Sequence, residues 1–196
     1  WMFELYKKLA CVLLMLLVSG CSGAVLGSTL TGAYFTGSLY DVFETKNDYL
    51  LERKITNQIS ALKQIREDIK FDADIMVRSG VIYTIGIAEN TASKRYLLDY
   101  ISSKYSKSHK VIDEVKVGES KTGIQDYFIK TKIKSGLALT NGVRYSNYYV
   151  TVYNKEVVLI GIAATKYEAS KVVEVASSTR GVQKILNYVE VRDIED

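Results

Sequence analysis

Val81-Ile82-Tyr83-Thr84-Ile85-Gly86-Ile87-Ala88 and Glu156-Val157-Val158-Leu159-Ile160-Gly161-Ile162-Ala163 superpose when the chain is shifted by 75 residues, so that Gly86 falls on Gly161. Each octapeptide reads as a buried strand, because it is short, apolar, rich in β-branched residues and bounded by polar turn signals. Ahead of each lies a second apolar stretch, Ile75-Met76-Val77 or Val150-Thr151-Val152, separated from the first by Arg78-Ser79-Gly80 or Tyr153-Asn154-Lys155. Links that short join antiparallel strands into a hairpin. A match at one fixed shift marks a single supersecondary unit used twice.

Helical spacing surrounds each hairpin. Leu51, Ile55, Ile59 and Leu62 recur every three or four residues before the first, and Ile129, Ile133 and Leu137 before the second, with Asp126 placed as a cap near that helix's start and Gly136 weakening its last turn. Tyr96, Leu97, Tyr100 and Ile101 follow the first hairpin, and Val172, Val173 and Ala176 the second. Each copy ends in an alternating strand, Val111-Val115-Val117 or Ile185-Tyr188-Val189-Val191. The order αββαβ lets the last helix act as a crossover that returns the final strand to the hairpin's sheet. The fold class is therefore α+β, two small tandem sandwiches with helices covering one face of each sheet.

The N-terminal end predicts an address. Lys7 and Lys8 precede an apolar run over residues 9–18, too short to cross a bilayer, and Leu17-Val18-Ser19-Gly20-Cys21 looks like a bacterial lipobox. On this reading residues 1–20 are a cleaved signal peptide, Cys21 is acylated, residues 21–46 are a lipidated Gly/Ser/Thr-rich tether, 47–118 and 119–192 are the two domains, and 193–196 a tail. Ser22, rather than an aspartate, follows the cysteine and points to the periplasmic face of the outer membrane. Loss of Glu4, Lys7 and Lys8 takes the net charge from +4 to +3, too mild to argue for nucleic acid. The two cysteines are Cys11, which leaves with the signal, and Cys21, so no thiol remains for a disulfide, metal cluster or nucleophile. Proline is absent, and the sequence offers no physical account of it.

Two αββαβ copies with a strand-Gly-strand-helix centre resemble tandem BON domains, over about residues 47–192. The central Gly86 and Gly161 carry the resemblance. Gly181-Val182 adds the pair expected before the last strand, where the first copy has Lys107-Ser108. With the lipobox, the whole is similar to dual-BON outer-membrane lipoproteins of bacteria. That resemblance implies a non-enzymatic protein that supports envelope integrity and binds anionic phospholipid through the first helix of its second domain, with Phe128 aligned to an aromatic at the lipid contact.

The residues themselves hold little chemistry. The one histidine, His109, sits in a basic polar loop and reads as a solvated surface residue. Asp72 with Asp74, Asp113 with Glu114, and the terminal acids read as solvated loop or edge charges. Nothing resembles a phosphate loop, an EF-hand or a zinc site, so no cofactor, metal or catalytic residue is expected. Gly86, Gly161 and Gly181 are read as structural, permitting close packing or a positive φ.

Tyr127-Phe128-Ile129-Lys130-Thr131-Lys132-Ile133-Lys134 is the suggestive binding stretch. Two readings stay open: Tyr127 and Phe128 wedge among headgroups while Lys130 and Lys134 meet phosphates, or Phe128 is core and the lysines are a solvated face. The first copy's Glu52-Arg53-Lys54 is mixed in charge and lacks aromatics, which places any lipid site in the second copy. A rival surface for envelope-protein partners is Tyr145, Tyr148, Tyr149 and Tyr153, although alternation could bury half of them. Oligomeric state is not legible.

Overall fold

The computed structural model describes residues 42–119 and 123–192. The signal peptide, Cys21, most of the tether and the tail lie outside the described residues. In chain order the elements are α1 (Val42–Ile65), β1 (Phe71–Arg78), β2 (Val81–Ala88), α2 (Thr91–Tyr105), β3 (Val111–Val117), α3 (Ile124–Leu139), a 3-10 turn (Tyr145–Asn147), β4 (Tyr148–Tyr153), β5 (Glu156–Ala163), α4 (Lys166–Ser178) and β6 (Lys184–Val191). The αββαβ order appears twice. Helix α1 begins at Val42, so the last residues read as tether are already helical and the boundary drawn at 47 falls inside α1.

The two sheets have one topology, β1-β2-β3 and β4-β5-β6. In each the hairpin is antiparallel and the crossover helix brings the last strand in parallel to the central one. Both crossover helices start on equivalent caps: the Asn90 side chain accepts from Ser93 N, and Thr165 Oγ1 from Glu168 N. The residues just inside reach back identically. Ser93 Oγ accepts from Lys70 N at 3.2 Å, and Glu168 Oε1 from Arg144 N at 2.9 Å, stapling each helix to the segment that leads into its sheet.

Each sheet has its own core beneath its helices, Ile55, Ile59, Ile82, Leu97 and Ile101 in the first copy and Ile133, Leu137, Val157, Leu159 and Val172 in the second. Full burial of each such side chain contributes about 1.5–3 kcal/mol. The opposite sheet faces are apolar too, and they pack on one another: Met76, Tyr83 and Ile85 meet Val158 and Ile160, with Tyr149, Tyr153, Leu186 and Tyr188 around them. Sheet against sheet, with helices outside, makes a four-layer α/β/β/α stack.

Glycine is required where the strands crowd. Gly86 has φ +149°, and a Cβ there would lie 2.6 Å from Ala73 Cα and run into the carbonyl oxygen of Asp72. At Gly161 a Cβ would meet the Asn147 carbonyl and come within 2.5 Å of the Tyr148 ring. Gly181, before β6, has φ +104° and sits against Ile129.

Candidate lipid-facing surface on helix α3

The core face of α3 is Asp126, Ile129, Ile133 and Leu137. At about 100° per residue the opposite side carries Ile124, Tyr127, Phe128, Thr131, Ser135 and Leu139. Those positions face out: Ile124 is 76% exposed, Tyr127 67% and Phe128 55%. The Tyr127 and Phe128 rings meet edge to face at 6.1 Å between centroids. Lys132 and Lys134 are exposed and Lys130 is half-buried, so lysines flank the apolar ridge on both sides. Of the two readings of Phe128, the buried one is excluded.

The acid of this helix does not neutralise the lysines at its surface. Asp126 is buried, and instead of capping α3, whose N-cap is Gly123 without a side-chain bond, it accepts from Asn154 N at 2.7 Å and Lys155 N at 3.0 Å. It pins the β4–β5 turn, where Asn154 and Lys155 both have positive φ. One carboxyl group accepting from two successive backbone N–H groups satisfies both donors of the tight turn at once. Asp48 does the same in the first copy, accepting from Ser79 N at 2.7 Å and Gly80 N at 3.0 Å. Sequence reasoning passed over Asp48 and misread Asp126 because these helices correspond at a shift of 78 residues, from Asp48 to Asp126, rather than the 75 of the strands.

The tyrosine surface proposed as a rival is not a surface. Tyr148 is buried, and Tyr149 and Tyr153 are half-buried against the first copy. Tyr149 OH donates to Asp74 Oδ2 at 3.2 Å, and Thr151 Oγ1 lies 3.3 Å from the same oxygen. Burial, then the Asp74 charge, push the Tyr149 and Tyr153 phenols up. At the other edge Tyr188 donates to Glu114, and burial followed by that bond pushes its phenol up to about 12. Asp74 and Glu114, read as solvated edge charges, therefore serve the interface between the copies. Only Tyr145 of the four tyrosines is well exposed.

His109 is half-buried, its Nδ1 2.8 Å from Ser108 Oγ and its ring edge-on to Tyr105. Among the described residues no group of three or more His, Cys, Asp or Glu could hold a metal ion, and no helix is long and apolar enough to cross a membrane. A groove of about 220 Å³ between the copies is lined by Asp72, Asp74, Asp126, Tyr127, Lys130 and Tyr153. Its carboxylates at Asp74 and Asp126 are already bonded within the protein.

Residues 126–193 match the family model of the BON domain. Over 151 residues the chain is 27% identical to a 21 kDa hemolysin of Actinobacillus pleuropneumoniae, across 74% of this chain and 75% of the relative. It is 22% identical over 122 residues to an uncharacterized protein in the gshII 5' region of Anaplasma centrale, across 60% of this chain and 80% of that one. Among solved structures, the C-terminal domain of CdsD, the structural protein of the type III secretion system of Chlamydia trachomatis, aligns with a TM-score of 0.30 and 16% identity, covering 58% of this chain and 52% of that one. A second CdsD structure aligns with a TM-score of 0.30 and 16% identity, covering 73% and 64%. The matches thus span less than two thirds of both CdsD chains. The family model covers the second copy; the first is tied to it by its topology, caps and turn-pinning aspartate.

Proposed function

We propose that the second copy, whose residues 126–193 match the family model of the BON domain, binds anionic phospholipid through the outward face of α3. The chain acts without catalysis, held at the periplasmic face of the bacterial outer membrane by acylated Cys21, and supports envelope integrity. One observation carries this reading: Ile124, Tyr127 and Phe128 stand exposed on the same helix surface as Lys132 and Lys134, while Asp126 is turned inward and bonded. An interfacial helix needs that combination of apolar ridge and unneutralised cations. Each lysine near an anionic surface contributes about 1 kcal/mol, enough to orient an anchored protein but not to replace the anchor. Tethering raises the effective concentration, so a weak patch suffices. The name of the hemolysin relative agrees with a protein that meets membranes.

Co-sedimentation of residues 22–196 with vesicles tests it. Wild type binds vesicles containing phosphatidylglycerol more than pure phosphatidylcholine, and Phe128→Ala with Lys130→Glu and Lys134→Glu lowers that binding about tenfold or more. Equal binding by wild type and the triple variant overturns the reading. The adaptor alternative keeps only Tyr145 of its surface, and retention of envelope function by the triple variant would favour it.

A further inference from the structure

The two sheets end in edge strands, β3 and β6, that are finished differently. Just past their ends Gly118 N still donates to Ala88 O and Arg192 N to Ala163 O, toward the central strands. Bonding alternates along a strand, so the odd-numbered residues of both turn their backbone N–H and C=O groups away from the sheet. At β3 side chains close these groups: Asp113 Oδ1 accepts from Val115 N at 2.8 Å, and Lys94 Nζ donates to Val115 O at 2.6 Å while pairing with Asp113 at 2.7 Å. A lysine and an acid folded over an edge keep another strand from adding there. At β6 half of that device is missing. Asn187, 74 residues on from Asp113, accepts from Val189 N at 3.0 Å, but Ala169 stands where Lys94 does, 75 residues on, and cannot reach the Val189 carbonyl. Asn187 and Val191 are exposed along this edge.

The sequence of β6 complements itself. Turned antiparallel about Asn187, Lys184 falls opposite Glu190, Ile185 opposite Val189 and Leu186 opposite Tyr188. Opposite charges and apolar pairs then meet across the strands, and the outward residues Ile185 and Val189 become a hydrogen-bonded pair. The neighbouring registers that still pair outward residues set Lys184 against Tyr188 or against Arg192, so the charges pick one register. Lys184 and Glu190 are both exposed. The helix above this edge is also trimmed. Helix α4 packs over β5 and β6, and Val175 faces α3, because a Cβ on Gly136 would lie 2.8 Å from it. At about 100° per residue the other side of α4, toward the free edge, carries Lys166, Ser170, Val173 and Ser177. The matching positions of α2 include Arg95 and Leu98 where α4 has Ser170 and Val173. Strands that pair at about 4.8 Å bring the helices above them close, and small side chains permit the approach to about 8–10 Å.

We propose that β6 pairs antiparallel about Asn187 with β6 of a second copy of this chain, joining the two β4-β5-β6 sheets into one of six strands. The contact is isologous, so each Lys184 meets Glu190 of the other copy and the charge pair forms twice. On pairing, Val189 N–H passes from Asn187 Oδ1 to the Ile185 carbonyl of the other copy, and the Val189 carbonyl gains the Ile185 N–H. The freed Asn187 amide then meets its own counterpart. Charge complementarity selects a second copy over an unrelated extended chain. The contact stands apart from the reading of α3, which packs over β4 at the opposite edge of the sheet and stays uncovered.

Sedimentation equilibrium of the full chain with Cys11→Ser and Cys21→Ser tests it. The chain is expected to pass from monomer to dimer as concentration rises. Lys184→Glu or Glu190→Lys sets like charges opposite each other in both halves of the pair and raises the dissociation constant about tenfold. Mixing the two single variants restores the dimer, because one offers acids at both positions and the other lysines; that recovery also shows both variants to be folded. Asn187→Cys in the same chain gives a disulfide-linked dimer on mild oxidation, as Cα atoms about 5.5 Å apart allow, and Ser103→Cys on α2 does not. A chain that stays monomeric, or a dimer indifferent to both charge reversals, overturns the proposal. So does a mixture that holds no more dimer than either variant alone. A bimane label on the cysteine of Asn187→Cys that is already shielded from iodide in the dilute monomer overturns it in favour of the chain's own segment.

Discussion

At the interface between the copies, matching positions face each other yet hold different residues. Asp74 in β1 corresponds to Tyr149 in β4, 75 residues on, and the two are hydrogen-bonded partners. Glu114 in β3 and Tyr188 in β6, 74 apart, form the same kind of pair at the other edge. Residues that align and also touch are the mark of a two-fold-like packing, in which a position meets its own counterpart. A strictly identical pair of copies would set carboxylate against carboxylate or phenol against phenol. One copy instead supplies the acids and the other the hydroxyls, so each copy's inner face fits its sister better than it fits another of itself.

The largest break in this comparison is expected at the paired glycines. Gly86→Ala drives a Cβ into the Asp72 carbonyl from a backbone at φ +149°, and overpacking together with backbone strain should cost about 4 kcal/mol. Gly161→Ala meets the Asn147 carbonyl and the Tyr148 ring, and the overpacking alone should cost about 2 kcal/mol. Urea denaturation of the two variants measures the order; equal midpoints would show that the backbone at Gly86 is no more strained than at its counterpart.

A smaller effect tests the division of acids and hydroxyls. Tyr149→Asp places a carboxylate opposite Asp74 and should destabilise by about 2 kcal/mol, as like charges across a packed contact do. Adding Asp74→Tyr restores the pair with its members exchanged and should recover most of the loss. Additive losses in the double variant would mean that the pair is not coupled.

The repeat, the element order and the core spacing were legible because strand and helix periods are written in consecutive residues, whereas the exposure of Phe128 was left open between two readings. The interface was not. Asp74 and Glu114 look like any charged residues on an edge strand, and nothing local says that a tyrosine 75 or 74 residues away will cover them. The Tyr148-Tyr149 stretch was read as a binding surface for the same reason: alternation shows that a strand has two faces, but not that both are buried. The counterpart relation of Asp48 and Asp126 was hidden by a register difference, since helices that correspond at 78 residues and strands at 75 differ by about one helical turn. The cue available in the sequence was the aspartate before each apolar stripe.

The smallest effect is a dependence on alkaline pH at the Tyr188–Glu114 edge. The ordinary phenol value is 10.0, and in the folded protein burial, then the bond to Glu114, push Tyr188 up to about 12. Between those values the unfolded chain has lost the proton that the folded one still holds, so the stabilisation is complete below pH 10.0 and is lost as pH rises through about 12. Tyr149, whose phenol is pushed up by burial and Asp74, acts with the same sign. Urea midpoints should therefore fall across this window, and Tyr188→Phe should make the fall shallower without abolishing it, because the Tyr149 edge still titrates. An unchanged slope in Tyr188→Phe would assign the alkaline loss to the Asp74 edge alone. Neither phenol ionises near neutrality, so the alkaline loss leaves both edges docked at ordinary pH.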